Sequence, residues 1–273
     1  MVAVLGGVGG GVVFTPLMMG FTSIDSYIVR GTGLVIAMAT GLVASRRFLG
    51  RGLANMRLVL FAGVPYAGFA VIGALTAGYL GETMGEVGEA AIRVCLGAIV
   101  ILVALWMLFG GKNTQYPEVQ KVDSFTERLR LAMAYWEESL GKVVDYRVSR
   151  APVGILLFCG VGFISGVFGL GAGWAVVPGL NMIMLAPLKV AAASSSVLIS
   201  VGDTAAVWQY IKGGAIFAPF VVPCLIGIMV GAFIGARIMV KAKAGFVRWI
   251  VIGVMFGSGI KLVIDGAIRL VQL

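Results

Sequence analysis

Apolar and polar positions fall along this chain in long blocks, not at the short periods of a soluble helix or strand. Residues 1–21 are apolar and interrupted by glycine. Residues 27–45 form a second apolar block, closed by Arg46-Arg47 and then Arg51 and Arg57. Residues 58–81 form a third, followed by a connection carrying Glu82, Glu86 and Glu89, and 91–110 form a fourth. The last three each approach the roughly 20 residues a helix needs to cross a bilayer, so each predicts a transmembrane helix. A polar stretch occupies 111–150. Apolar blocks then resume at 152–187, again broken by glycines, and at 190–211, 216–239 and 247–271.

The two broken blocks carry the same pattern. Gly7-Val-Gly-Gly-Gly-Val-Val-Phe-Thr-Pro16 matches Gly169-Leu-Gly-Ala-Gly-Trp-Ala-Val-Val-Pro178 at a constant offset of 162, placing Gly7, Gly9, Gly11 and Pro16 on Gly169, Gly171, Gly173 and Pro178. The offset persists at Thr32/Ser194, Gly52/Gly214 and Gly73/Gly235. Glycine and proline weaken an uninterrupted helix. Hydrocarbon tolerates broken backbone only where the freed N–H and C=O groups are buried in protein or line a polar cavity. Paired breaks in corresponding halves therefore point to a transport site. The chain reads as an all-α polytopic membrane protein of two internal repeats, 1–110 and 151–273, joined by 111–150. Each repeat is a Gly/Pro-broken segment followed by three transmembrane helices.

The block 152–187 is too long for one straight crossing: as helix it would extend about 54 Å, against a core of ~30 Å. It is either one broken, tilted span or a re-entrant hairpin that leaves on the side it entered. Charge favours the hairpin. With hairpins each repeat crosses three times, the repeats are inverted, and 16 of the 21 basic residues collect on one face, the cytoplasmic one by the positive-inside rule. The Glu82/Glu86/Glu89 connection lies on the other. Met1 aligns with Phe163, so the first repeat lacks the arm equivalent to 152–162, and the natural chain is expected to extend upstream.

In the polar join, Ser124-x-x-Glu127 has the form of a capping box. Phe125, Leu129, Met133, Trp136, Leu140 and Val144 recur at helical spacing, which predicts an amphipathic helix lying on the membrane or docked on the bundle.

Composition narrows the class. The chain has 273 residues, 60% hydrophobic and 12% charged, where a soluble domain carries about a quarter charged. The net charge of +9 follows from basic loops and does not indicate nucleic acid. No histidine occurs, which excludes His-ligated haem and His-based zinc. Cys95, Cys159 and Cys224 sit singly in apolar blocks as small core residues. No phosphate-binding loop is present, since Gly110-Gly111-Lys112-Asn113 fails at its last position. No metal or cofactor is expected, and no constellation suggests an enzyme.

The paired G-x-G-x-G-x-x-x-x-P motifs, each followed sixteen residues later by Thr32 or Ser194, resemble those of the sulfite exporter TauE/SafE family over essentially the whole chain. The resemblance implies a permease of the prokaryotic inner membrane that moves sulfite, organosulfonates or related sulfur oxyanions. The residues are compatible with an anion: broken helices present free N–H groups and positive dipole ends. The hydroxyls of Thr32, Ser194, Ser195 and Ser196 can complete a cage around it. The bland alternative is that these small residues only permit close helix packing. A second functional class is a non-transporting membrane subunit that anchors a larger complex through the join, and a homo-oligomer also remains open. Asp203, deep in the block 190–211 and matched in the first repeat by Gly41, has no local basic neighbour before Lys212. Such a carboxyl is either held structurally by a neighbouring helix or exchanges a proton with a transport cycle.

Overall fold

The computed structural model describes residues 10–109, 117, 119, 122–137, 141–239 and 244–272; Gly7, Gly9 and Leu140 lie outside the described residues. Helix α1 (Gly11–Phe21) starts inside the first glycine motif. Helix α2 (Ser26–Gly50) is capped by Asp25, whose carboxylate accepts from the N–H groups of Tyr27 (2.7 Å) and Ile28 (3.3 Å). Asn55 opens the next helix in the same way, accepting from Arg57 and Leu58 N–H. The helical stretch Met56–Phe109 breaks at Gly85, whose φ of 50° is accessible to glycine at no steric cost. Straight, it would extend about 80 Å. Instead it folds back as α3 (56–84) and α4 (86–109), so closely that a methyl on Gly88 would lie 2.5 Å from the Leu80 carbonyl oxygen.

The amphipathic helix expected over the join is not formed. A single short turn, α5 (Ser124–Arg128), is capped by Asp123, not by Ser124. An antiparallel hairpin follows, β1 (Met133–Glu137) and β2 (Lys142–Tyr146), with Met133 opposite Tyr146 and Glu137 opposite Lys142. The physical reason is a period of two. Leu131, Tyr135, Tyr146 and Val148 are buried while Trp136 and Val143 are exposed, and β-branched and aromatic residues pack well on such a pleated surface. Asn55 Nδ2 donates to Leu131 O and to the Tyr146 hydroxyl, both at 2.8 Å, pinning the hairpin to the start of α3. Burial pushes the Tyr146 phenol up to about 12, against the opposing effect of that hydrogen bond.

The second half begins with α6 (Ala151–Phe168). Gly169 (φ 67°) and Gly171 (φ 69°) then turn the chain through left-handed backbone. Helix α7 (Gly173–Pro178) follows and runs into one π turn (Gly179–Ile183). The Ser149 N–H donates to Met184 O at 3.1 Å, so the segment leaves beside the point where it entered. Three longer helices complete the chain: α8 (Leu188–Lys212), α9 (Ala218–Met239) and α10 (Ala244–Gln272).

Shifted by 162 residues, the bounds of α1 fall on 173–183 and those of α2 on 188–212. Helices α2 and α8 pack antiparallel, with Gly31 beside Tyr210 and Gly41 beside Ser196 and Ser200. Small residues set the approach of α6 to α3: methyls on Gly162 and Gly166 would run into the carbonyls of Tyr66 and Ala70. Close backbone contact of this kind drives helix association where lipid removes the hydrophobic term. Large apolar side chains such as Leu60, Val64, Leu102, Leu156 and Val201 point outward, as a lipid-facing surface requires. Among the described residues α2, the folded-back α3–α4 stretch, α6 and α8 are long and apolar enough to cross a membrane.

Candidate functional site

The glycine motifs meet. Thr15, one residue before the buried Pro16, donates its hydroxyl to the Gly169 carbonyl at 2.8 Å. A methyl on Gly11 would lie 2.6 Å from Leu170 O and 2.8 Å from Gly33 O. Gly169 abuts the backbone of Arg30, and a methyl on Gly171 would lie 2.6 Å from the Ala37 Cβ. The break therefore rests on the middle of α2, and α1 and α7 both start from it. Gly173 is buried at the start of α7 and Pro178 ends it, half-buried. With no N–H on Pro178 to continue the ladder, the chain passes into the π turn.

The hydroxyls do not join this cluster. Thr32 donates to Ile28 O (2.8 Å) and Ser196 to Ala192 O (3.0 Å), each within its own helix. Ser194 Oγ accepts from Asn55 N–H at 3.1 Å, at the hairpin end of the bundle. Ser195 is buried beside it. Because α2 and α8 are antiparallel, Thr32 and Ser194 sit on opposite sides of their crossing, about 15 residues or about 22 Å of helix apart. One cage cannot include both.

Asp203 does join it. The side chain is fully buried. Oδ1 accepts a hydrogen bond from the Tyr66 hydroxyl of α3, which also lies 2.8 Å from Ser165 Oγ of α6. Oδ2 has no hydrogen-bond partner, and a methyl built on Gly171 would lie 3.3 Å from it. The carboxyl thus has one oxygen tied to α3 and one free, directed at the broken backbone.

A further charged site was not singled out from the sequence. A cavity of about 550 Å³ opens at the end of the bundle carrying Glu82 and Glu86. At its floor Arg30, fully buried, donates Nη2 to Glu89 Oε1 (3.0 Å) and Nε to Ser26 O (3.1 Å). Arg93, also buried, donates to Met19 O and Ser26 Oγ, both at 2.8 Å. Both arginines interrupt apolar blocks, the signal that marks an intramembrane ionisable group as functional. Among the described residues no cluster of three metal-ligating side chains occurs.

Crossing helices, broken helical segments that meet inside the bundle, and a charged cavity leading toward them define a polytopic membrane transporter. Family comparison makes the assignment specific: the chain belongs to the sulfite exporter TauE/SafE family, matched over residues 1–262. A curated relative, Probable membrane transporter protein YunE of Bacillus subtilis (strain 168), is 25% identical over 270 residues, covering 95% of this chain and 92% of that protein. No solved structure matches. The protein is a multi-pass component of the prokaryotic plasma membrane, and its family is one of transporters, not enzymes.

Proposed function

We propose that the protein is a secondary transporter of a small sulfur oxyanion, sulfite or a sulfonate, carried past the glycine break and coupled to protonation of Asp203. The observation that carries this reading is the free Oδ2 of a fully buried carboxyl beside Gly171. An anion approaching the left-handed backbone at Gly171 meets the chain without an intervening side chain. It also meets Asp203. Two negative charges about 5 Å apart repel by about 3 kcal/mol at an effective dielectric of 20, so anion binding and protonation of Asp203 favour each other. The anion and a proton then move together.

The antiparallel α2–α8 contact supports two inverted repeats, 1–110 and 151–273, that rock about this crossing while 111–150 braces one end. Of the site residues inferred from the motifs, Gly11, Gly169, Gly171 and Gly173 with Pro16 and Pro178 belong to the break, and Gly7 and Gly9 are assigned to it by their offset. Thr32 and Ser194–Ser196 lie on opposite sides of the α2–α8 crossing and take no part in a common cage.

The test is uptake of radiolabelled sulfite into liposomes holding the purified protein, compared with Gly171→Val. The valine meets Ala37 and Asp203 and closes the backbone to the anion; uptake is expected to fall at least tenfold with the protein still folded. Wild-type uptake in that folded variant would show that the glycine serves packing alone.

A further inference from the structure

We propose that the 550 Å³ cavity at the Glu82/Glu86 end is a second anion site, a vestibule in which a small oxyanion of one or two charges is held by Arg93 and Arg269 and competes with Glu89 for Arg30. The choice of anion rests on the transport reading above; the site rests on its own residues.

Four carboxylates (Asp25, Glu82, Glu86 and Glu89) and three guanidiniums (Arg30, Arg93 and Arg269) line the cavity, but they are not paired one to one. Arg30 is fully buried and Arg93 is 6% exposed, yet Arg30–Glu89 is the ion pair formed there. Arg93 is hydrogen-bonded only to neutral oxygens, Met19 O and Ser26 Oγ. Those hydrogen bonds orient the guanidinium, which caps the end of α1 through Met19 O, without cancelling its charge. Its Nε has no partner. Glu89 and Asp265 both act on Arg93 at longer range, while Arg30 and Arg269 repel it. A buried guanidinium without a counter-charge is costly, and an anion in the cavity supplies that charge.

The other acids that line the cavity do not fill this role. The Asp25 carboxylate caps α2, and Glu82 and Glu86 are exposed. Glu89 is half-buried, already on Arg30, and on the same face of the cavity as Arg93 one turn away. Two guanidiniums joined through Ser26 lie together at the cavity, and planar guanidinium N–H donors suit an oxyanion. The volume falls in the range of small-molecule sites, ample for a hydrated oxyanion or a short sulfonate.

Position gives the site a function. Arg30 Nη1 reaches Val167 O at 3.4 Å, and the Arg30 backbone touches Gly169. Tyr27 lies 5.6 Å from the Arg30 guanidinium and stacks on Tyr210 at 4.9 Å, whose hydroxyl donates to Gly166 O. Arg30 is thus the lid between vestibule and break. An anion that takes Arg30 from Glu89 loosens the contact holding that lid.

Equilibrium dialysis of radiolabelled sulfite against the purified full-length protein tests this, with methanesulfonate as competitor. Arg93→Gln is expected to weaken binding at least tenfold and Arg269→Gln severalfold. Glu89→Gln is expected to tighten it severalfold, because it removes the competing carboxylate. Arg269→Gln alters an exposed position and Glu89→Gln keeps a side-chain oxygen that accepts from Arg30, so they decide the matter even if Arg93→Gln fails to fold. Unchanged or weaker binding in Glu89→Gln, with no loss in Arg269→Gln, overturns the vestibule. The Gly171→Val background separates the two sites. Sulfite binding that survives there and still responds to Glu89→Gln supports the vestibule whatever the outcome for transport. Binding abolished by Gly171→Val alone, in protein shown to be folded by circular dichroism, assigns all of it to the central break and overturns the vestibule.

Discussion

At the scale of single residues, Asp203 was legible in the sequence because an ionisable group in the middle of an apolar block is expensive enough to need a reason. Its partners were not. Tyr66 and Ser165 lie in other blocks, and only the packing of α3 and α6 against α8 brings them to it. The same rule applied to Arg30 and Arg93 would have marked the vestibule, but their convergence is set by the fold-back at Gly85, which carries Glu89 and Arg93 down to Arg30. The role proposed for Asp203 has a definite sign. If protonation favours the anion, sulfite binding tightens as pH falls and weakens as the carboxyl ionises. Asp203→Asn keeps the shape and mimics the protonated acid, so it is expected to bind sulfite as the wild type does at low pH and to lose the pH dependence of liposome uptake. An Asn variant with the wild-type pH profile would return Asp203 to a structural role, holding α3 to α8 through Tyr66.

At the scale of elements, the apolar blocks gave the long helices closely, since length and hydropathy are sufficient to specify a membrane span. The join shows why a polar segment is harder. Phe125, Leu129, Met133 and Trp136 satisfy a helical period, but Leu131, Met133 and Tyr135 also alternate, as do Val144, Tyr146 and Val148. The second pattern prevails because Gly141, at φ 59°, supplies the left-handed turn residue between two β-prone strands. Asp123 anchors this unit to the bundle: its carboxylate accepts from Thr126 N–H (3.1 Å), the Thr126 hydroxyl (2.5 Å) and Arg150 N–H (2.8 Å). Desolvation is the largest single effect and opposes ionisation, but the hydrogen bonds from Thr126 and Arg150 together outweigh it, holding the carboxyl below its usual range. A depressed folded-state value contributes stability above the unfolded value of about 3.9 that is lost as pH falls further. Asp123→Ala is therefore expected to destabilise the protein by about 1 kcal/mol at neutral pH, as loss of a helix cap does. The difference from wild type in thermal unfolding should narrow below about pH 4; a gap independent of pH would mean that the carboxylate charge is not what matters.

At the scale of the molecule, the order of elements sorts the chain into two ends. Arg57, Arg147 and the start of α6 gather at the hairpin end, with Met184 and Ser194. Asp25, Glu82, Glu86, Gly213 and Arg269 gather at the vestibule end. The sequence could anticipate this division only through charge, since a helix carries no record of its direction across the bilayer. The positive-inside bias predicts that the hairpin end faces the cytoplasm and the proposed vestibule the outside. Single cysteines at Glu86, Lys212 and Arg147, in a background lacking Cys95, Cys159 and Cys224, report the side of each position to an impermeant maleimide. Positions 86 and 212 are expected to label in intact cells, and 147 only after permeabilisation. Position 212 is the decisive one. It ends α8, the helix that matches α2 at the 162-residue offset, while α2 ends at Gly50 beside the basic Arg51 and Arg57. If the repeats are inverted, the ends of these matched helices face opposite sides. Protection of 212 together with 147 would put them on the same side and remove the basis for alternating access by inverted halves.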